Sequence, residues 1–191
     1  MTDRFDQALS YASRLHRGQR RKGADIPYVA HLLAVASLVL EHGGDEEEAI
    51  AALLHDSIED IGGASLRREI REHFGERVLS IVEGCTDSDT NPKPPWKERK
   101  KAHVESLASA DASVRLVIAA DKLHNVRSLL MDHKRLGDRL WQRFRGGRDG
   151  TLWYYRAVTD ALLKTEVTPL VEELQRAVTE LEAAVTGPAA S

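Results

Sequence analysis

Apolar residues recur along this chain every three or four positions and nowhere in sustained alternation, a pattern that predicts helices throughout and no strand. Residues 3–18 place Phe5, Ala8, Leu9, Ala12 and Leu15 on one face of a first helix. A basic loop, Gln19 to Pro27, follows, and Pro27 suits the first turn of the next helix. That helix runs to about His42, with Val29, Leu32, Leu33, Ala36, Val39 and Leu40 as its apolar stripe, and Gly43-Gly44 stops it. Asp45 then caps a short helix whose first turn, Glu46-Glu47-Glu48, puts acids where the helix dipole favours them. It ends near His55-Asp56, and Gly62-Gly63 breaks the chain again. Helices near 65–73 and 75–84 flank Gly75, and residues 87–95 form the clearest loop. Further helices are expected at about 96–109, 112–138, 149–166 and 168–185, with a frayed tail from Thr186 to Ser191. No internal repeat or linker divides the pattern, so the expectation is one all-α domain over residues 1–185.

Composition narrows this little but excludes a good deal. The 191 residues suffice for one sizeable core. With 42% hydrophobic and 30% charged residues and a net charge of −3, nothing global points to nucleic acid or a membrane surface. No apolar run approaches the roughly 20 residues a membrane-spanning helix needs. The first residues, Met1 to Phe5, lack the apolar core of a signal peptide, and the single cysteine, Cys85, fits a reducing compartment. A cytoplasmic protein is the expectation. Nothing identifies a protein partner, and a homo-oligomer stays open.

Charge placement is more telling. His55-Asp56 closes a helix that is almost wholly apolar after its acidic cap (Ala49 to Leu54), so the pair is expected to be at least partly buried. A buried carboxylate needs a cation or several donors. Asp121 continues the inward stripe of Val114, Val117 and Ile118, and Asn125 and Ser128 extend that line one and two turns on. A polar line continuing an apolar face suits the wall of a site better than a core. With His31, these residues offer two imidazoles and two carboxylates, a ligand set suited to manganese, iron or zinc rather than calcium. A buried hydrogen-bond network without metal is the alternative. Glu59-Asp60 follows the His-Asp doublet at once, and a metal beside carboxylates is equipment for hydrolysing a phosphate ester or anhydride.

Three segments in order resemble the hydrolase domain of Rel/SpoT-type alarmone enzymes. They are His16-Arg17-Gly18-Gln19-Arg20-Arg21-Lys22 with Pro27-Tyr28-Val29-Ala30-His31, then His55-Asp56-Ser57-Ile58-Glu59-Asp60, then Asp121-Lys122-Leu123-His124-Asn125-Val126-Arg127. The resemblance covers roughly residues 1–165 and points, within the HD-domain superfamily, to its small alarmone hydrolases. It implies a single HD-type helical bundle with one divalent ion, usually manganese, on His31, His55, Asp56 and Asp121. It also implies that Glu59 and Asp60 act on the attacking water. The implied substrates are nucleotides carrying a 3′-diphosphate, such as guanosine 3′,5′-bis(diphosphate), cleaved to GDP and pyrophosphate.

Substrate contacts are expected at Arg21, Lys22, Asn125, Ser128 and Tyr154. Arg14, Arg17, Arg20, Arg21 and Lys22 supply five cations within nine positions, just before His31. The run from Arg143 to Arg148 and Trp153-Tyr154-Tyr155 could form a far wall of a nucleotide pocket or an ordinary helix turn. Pro94-Pro95-Trp96 and the basic helix behind it could close over phosphates or be an ordinary capped surface helix, the plainer reading. The stretch Gly23-Ala24-Asp25-Ile26 departs from the usual pattern of the resembled family by one extra residue and a missing serine. That keeps other nucleotides open: an adenosine alarmone, NADPH, or a nucleoside mono- or triphosphate. A non-catalytic nucleotide sensor is a third possibility, against which the intact Glu59-Asp60 pair argues.

Overall fold

The computed structural model describes residues 1–90 and 92–187. Among them the chain is helical, and its sole β-type pairing is an isolated bridge between Arg20 and Pro27, which pinches the basic loop at its base. Helix α1 spans Asp3–Leu15, with Thr2 as its cap. α2 spans Val29–Glu41, α3 Glu46–Leu54, and the single turn α4 Ser57–Asp60. α5 covers Ala64–Cys85, and α6 covers Trp96–Ser106. α7, the longest, covers Ala112–Leu136, and a 3-10 segment, Gly137–Arg143, leads to α8 at Gly147–Thr165 and α9 at Pro169–Thr186.

Local chemistry explains most boundaries. Asp45 and Glu48 form a reciprocal capping box at α3, so the acidic first turn is held by its own backbone. Gly75 sits inside α5 at φ 87° and ψ 169°, so α5 is two helical segments across a kink, as the glycine between two periodic runs predicts. The 3-10 segment and α4 are the elements that periodicity does not reveal, being too short to carry a repeat. Thr186 closes α9 and Gly187 caps it, while 188–191 of the expected tail, and Asn91 of the expected loop, lie outside the described residues.

One core runs through the bundle. α7 is its axis, packed between α9, α2, α5 and α8, and α3 is sunk between α1, α2 and α5. From Ala49 to Leu54 every side chain of α3 is buried, which carries His55 into the interior. Leu170, Leu174, Val178 and Leu181 of α9 are core, as their spacing predicts. The stripe expected on α2 needs correction: Leu33 and Leu40 are exposed, while His31, Val35 and Leu38 are buried with Leu32, Ala36 and Val39. The helix is rolled so that His31 faces inward, which turns Leu33 and Leu40 to the surface. No helix among the described residues is long and apolar enough to cross a membrane.

Candidate metal centre and cleft

Three helix ends and the middle of α7 meet at one point. His31 comes from the first turn of α2, His55 and Asp56 from the junction of α3 and α4, and Asp121 from α7. His31, His55 and Asp56 each offer one ligand atom within 4.8 Å of one another. Asp121 Oδ1 adjoins them, 3.2 Å from His31 Nε2 and 3.7 Å from His55 Nε2. Asp56 Oδ2 lies 3.0 Å from His55 Nε2 and 3.5 Å from His31 Nε2.

Tautomer logic sharpens the fit to a metal. His55 Nδ1 lies 2.8 Å from the Ala52 carbonyl oxygen, which can only accept, so Nδ1 carries the hydrogen and Nε2 presents its lone pair. His31 Nδ1 meets His124 Nδ1 at 2.7 Å. Burial and the neighbouring His31 push His124 down to about 4, so it is neutral and one of the two nitrogens accepts. Both Nε2 atoms, of His31 and His55, are buried with no hydrogen-bond partner. Orphaned buried nitrogens aimed at two carboxylates are what a cation would satisfy.

The electrostatics agree. Burial alone would lower the His55 pKa, yet the Asp56 and Asp121 carboxylates outweigh it and raise it, drawing positive charge to Nε2 as either a proton or a cation in its place. Burial alone would raise Asp121, yet Lys122 with His31 and His55 holds it well below the usual carboxylate range. Two ionised carboxylates at one buried point call for positive charge. Each also has a second partner. Tyr28 donates its hydroxyl to Asp56 Oδ2 at 2.5 Å. Lys122 Nζ and Asn125 Nδ2 each donate to Asp121 at 2.5 Å.

Above this point opens a cleft of about 600 Å³. Its floor includes Asp56 and Asp121, and its rim carries Glu59 and Asp60 from α4. Its walls carry Arg21, Lys22, Lys93, Arg99, Lys100 and Arg145, with Trp96, Phe144, Tyr154 and Tyr155 between them. Of the five clustered cations in the first third of the chain, only Arg21 and Lys22 line it. Arg20 pairs with the exposed Asp25 at 3.5 Å, and Arg14 lies over the Tyr11 ring on another face. The surface-helix reading of α6 gives way here. Arg99 is buried and bonded to Asp87, and Lys100 reaches Asp87 at 2.5 Å, so the first turns of α6 form a cleft wall.

Glu59 and Asp60 are held from opposite sides. Glu59 accepts from Lys93 at 3.0 Å and from Arg99 at 3.5 Å. Asp60 accepts from Gln19 Nε2 at 2.6 Å. Burial raises both pKa values, helped at Glu59 by the charge of Asp87 and at Asp60 by that of Asp56. A carboxylate moved toward neutrality is a better proton acceptor near neutral pH.

The expected substrate contacts separate. Arg21 donates to Asn125 Oδ1 at 2.6 Å and lies over the Tyr28 ring, so the two line the cleft together. Lys22 sits over Phe144, 5.1 Å from the ring centre. Ser128 is one turn further, donating to the His124 carbonyl oxygen and lining a second, more apolar pocket of about 310 Å³ that shares Arg21, Lys22 and Tyr155 with the cleft. Tyr154 turns its ring to Lys100 and Lys122, and its hydroxyl is buried without a partner. The Gly-rich run does form a far wall, through Phe144, Arg145 and Gly146 with Tyr154 and Tyr155. Gln19, Tyr28, Asp87, Lys122 and His124 are neighbours of the centre that the sequence did not single out one by one. Only the first two and the last two stood within recognisable motifs.

An all-helical bundle with a His/His-Asp/Asp cluster matches the HD domain family over residues 8–152, and the chain belongs to it. Among curated relatives it is similar to guanosine-3′,5′-bis(diphosphate) 3′-pyrophosphohydrolase MESH1 of Xenopus tropicalis, 40% identical over 126 residues that cover 64% of this chain and 68% of that protein. The Homo sapiens protein of the same name is 39% identical over the same shares. Among solved structures, a metazoan ortholog of SpoT described as hydrolysing ppGpp superposes with a TM-score of 0.78 at 28% identity, covering 94% of this chain and 96% of that one.

Proposed function

We propose that the protein is a metal-dependent guanosine-3′,5′-bis(diphosphate) 3′-pyrophosphohydrolase, giving GDP and pyrophosphate. The observation that carries the reading is the convergence of two orphaned imidazole nitrogens and two carboxylates at the floor of a cleft whose walls are cationic. The named relatives support the substrate class. One divalent ion, manganese, would be held by His31, His55, Asp56 and Asp121, and when bound it supplies Lewis-acid polarisation of a phosphoryl oxygen and acidifies water.

The chain's own residues do the rest. Lys22, Lys93, Lys100 and Arg145 offset the phosphate charges, and Arg21, braced by Asn125, presents a planar guanidinium to base or phosphate. Asp60 orients the water and takes its proton, with Glu59 beside it fixing the other side of the attack path. The 3′-oxygen–phosphorus bond breaks as the water oxygen joins phosphorus, and the 3′-oxygen takes up a proton to leave as the hydroxyl of GDP while pyrophosphate departs. Ser128 and Tyr155 border the pocket that receives the nucleoside, and Tyr154 supports the lysines under the phosphates. The proposal carries with it a cytoplasmic setting, for which the single Cys85 is the support.

The test is turnover of guanosine 3′,5′-bis(diphosphate) with added Mn²⁺, resolving GDP from pyrophosphate, with Asp121→Asn as control. Metal-dependent pyrophosphate release, lost in the control, is the expected result. An intact, manganese-loaded protein that releases none overturns the reading.

A further inference from the structure

Asp60 is exposed, and one side-chain hydrogen bond sets its direction. Its Oδ2 accepts from Gln19 Nε2 at 2.6 Å, and its Oδ1 takes no hydrogen bond among the described residues. A carboxylate only accepts, so the Gln19 amide turns its NH₂ group to Asp60 and its oxygen away. That oxygen lies 2.6 Å from His16 Nδ1, so Nδ1 carries the hydrogen and donates. His16 itself is 3% exposed and stacks on Tyr28, with ring centres 5.3 Å apart and planes at 23°. Tyr28 in turn donates to the metal-site residue Asp56. The Gln19 backbone is fixed on both sides, its N–H donating to the His16 carbonyl at 3.0 Å and its carbonyl accepting from Tyr28 N–H at 3.0 Å. The two hydrogen bonds from His16 to Gln19 and from Gln19 to Asp60 each have one allowed polarity, and they end at Asp60 Oδ2, leaving Oδ1 free.

We propose that Gln19, locked by His16, is a positioning residue that aims the Asp60 carboxylate into the cleft with Oδ1 held open for the attacking water. The inference rests on the reading of Asp60 as the group that orients that water. Gln19 is half-buried and bonds through its side-chain end, so replacing it leaves the core intact.

Two variants test it. Gln19→Met keeps the length and removes the donor. Gln19→Glu keeps the shape and an acceptor for His16 but sets charge against charge at Asp60. In both, kcat for pyrophosphate release falls about tenfold to a hundredfold, the scale of a misplaced reacting group, with KM and thermal midpoint held. Asp60→Asn is measured alongside, with enzyme in excess of substrate so that slow turnover is read. Parent-like turnover of Asp60→Asn sinks the reading of Asp60 itself. If Asp60→Asn is slow, adding Gln19→Met to it has no further effect, because the two act as one unit. Losses that multiply in full, a loss in KM rather than kcat, or parent-like kcat in Gln19→Glu overturns the positioning role and leaves the role of Asp60 standing.

Discussion

The floor of the cleft and its walls are built in opposite ways. On the floor each charged group has at least two partners and little freedom: Asp121 meets His31, His55, Lys122 and Asn125, and Asp56 meets both histidines and Tyr28. On the walls the cations hang from loops and helix starts, several tied by one contact. Lys93 reaches Glu59, and Lys22 rests on a ring. The floor is arranged before anything binds. The walls can adapt to a polyanion. Chemistry that depends on position within half an ångström is therefore concentrated on the rigid part, and recognition of diffuse charge on the yielding part.

The hardest blow to this contrast comes from the floor. His55→Gln or Asp121→Asn should lower turnover by about a thousandfold or more, in line with loss of a group acting only through the metal-held centre. Added Mn²⁺ should raise the thermal midpoint of the parent and not that of these variants. A variant that keeps the midpoint shift has kept its ion, and the ligand set would need revision.

Stability separates the two regions next. Asp121→Ala strands the largely buried Lys122 ammonium and should destabilise the fold by about 3 kcal/mol in urea unfolding. Lys93→Ala removes an exposed pair and should cost about 1 kcal/mol or less. Equal losses would erase the distinction between floor and wall.

Tyr28→Phe removes one hydrogen bond to Asp56 and should weaken Mn²⁺ binding by about tenfold to a hundredfold by titration calorimetry.

The smallest effect is on pH dependence. Burial, with Lys122 and Lys100 beside it, pushes His103 down to about 3 from its ordinary 6.5. The unfolded chain then binds a proton there that the folded chain refuses. The stabilising contribution is full above about pH 6.5 and drains away as pH falls from there toward 3. His103→Phe should flatten the stability profile between pH 6.5 and 4.5 while leaving the wall cations in place, and an unchanged slope would mean the side chain is solvated.

The contrast also decides what the sequence discloses. The positions of the floor residues are legible because helix periodicity fixes their direction. His55 follows six apolar residues of α3, and Asp121 continues the stripe of Val114, Val117 and Ile118. Their partners are less so: Lys122 is the neighbour of Asp121 in sequence, yet nothing in the helical repeat says that its ammonium folds back to the carboxylate rather than into water. The walls are least legible. Arg99 and Asp87 stand on either side of a loop, and their pairing exists only in the folded chain. The exposed Leu33 and Leu40 of α2 mislead for a related reason, since an apolar stripe marks a face without saying which polar residue must share the interior. His31 was that residue.

Gly23, at φ 71°, lies so close to Arg143 that a Cβ there would fall 2.3 Å from its Nε. The basic loop and the 3-10 segment are thus in direct backbone-to-guanidinium contact, and Lys22 on Phe144 doubles the join. Arg21 and Lys22 belong to one side of this join, Phe144 and Arg145 to the other, though more than a hundred residues separate them along the chain. The two walls are therefore joined across the cleft by contact, and a displacement of one that keeps the contact carries the other with it.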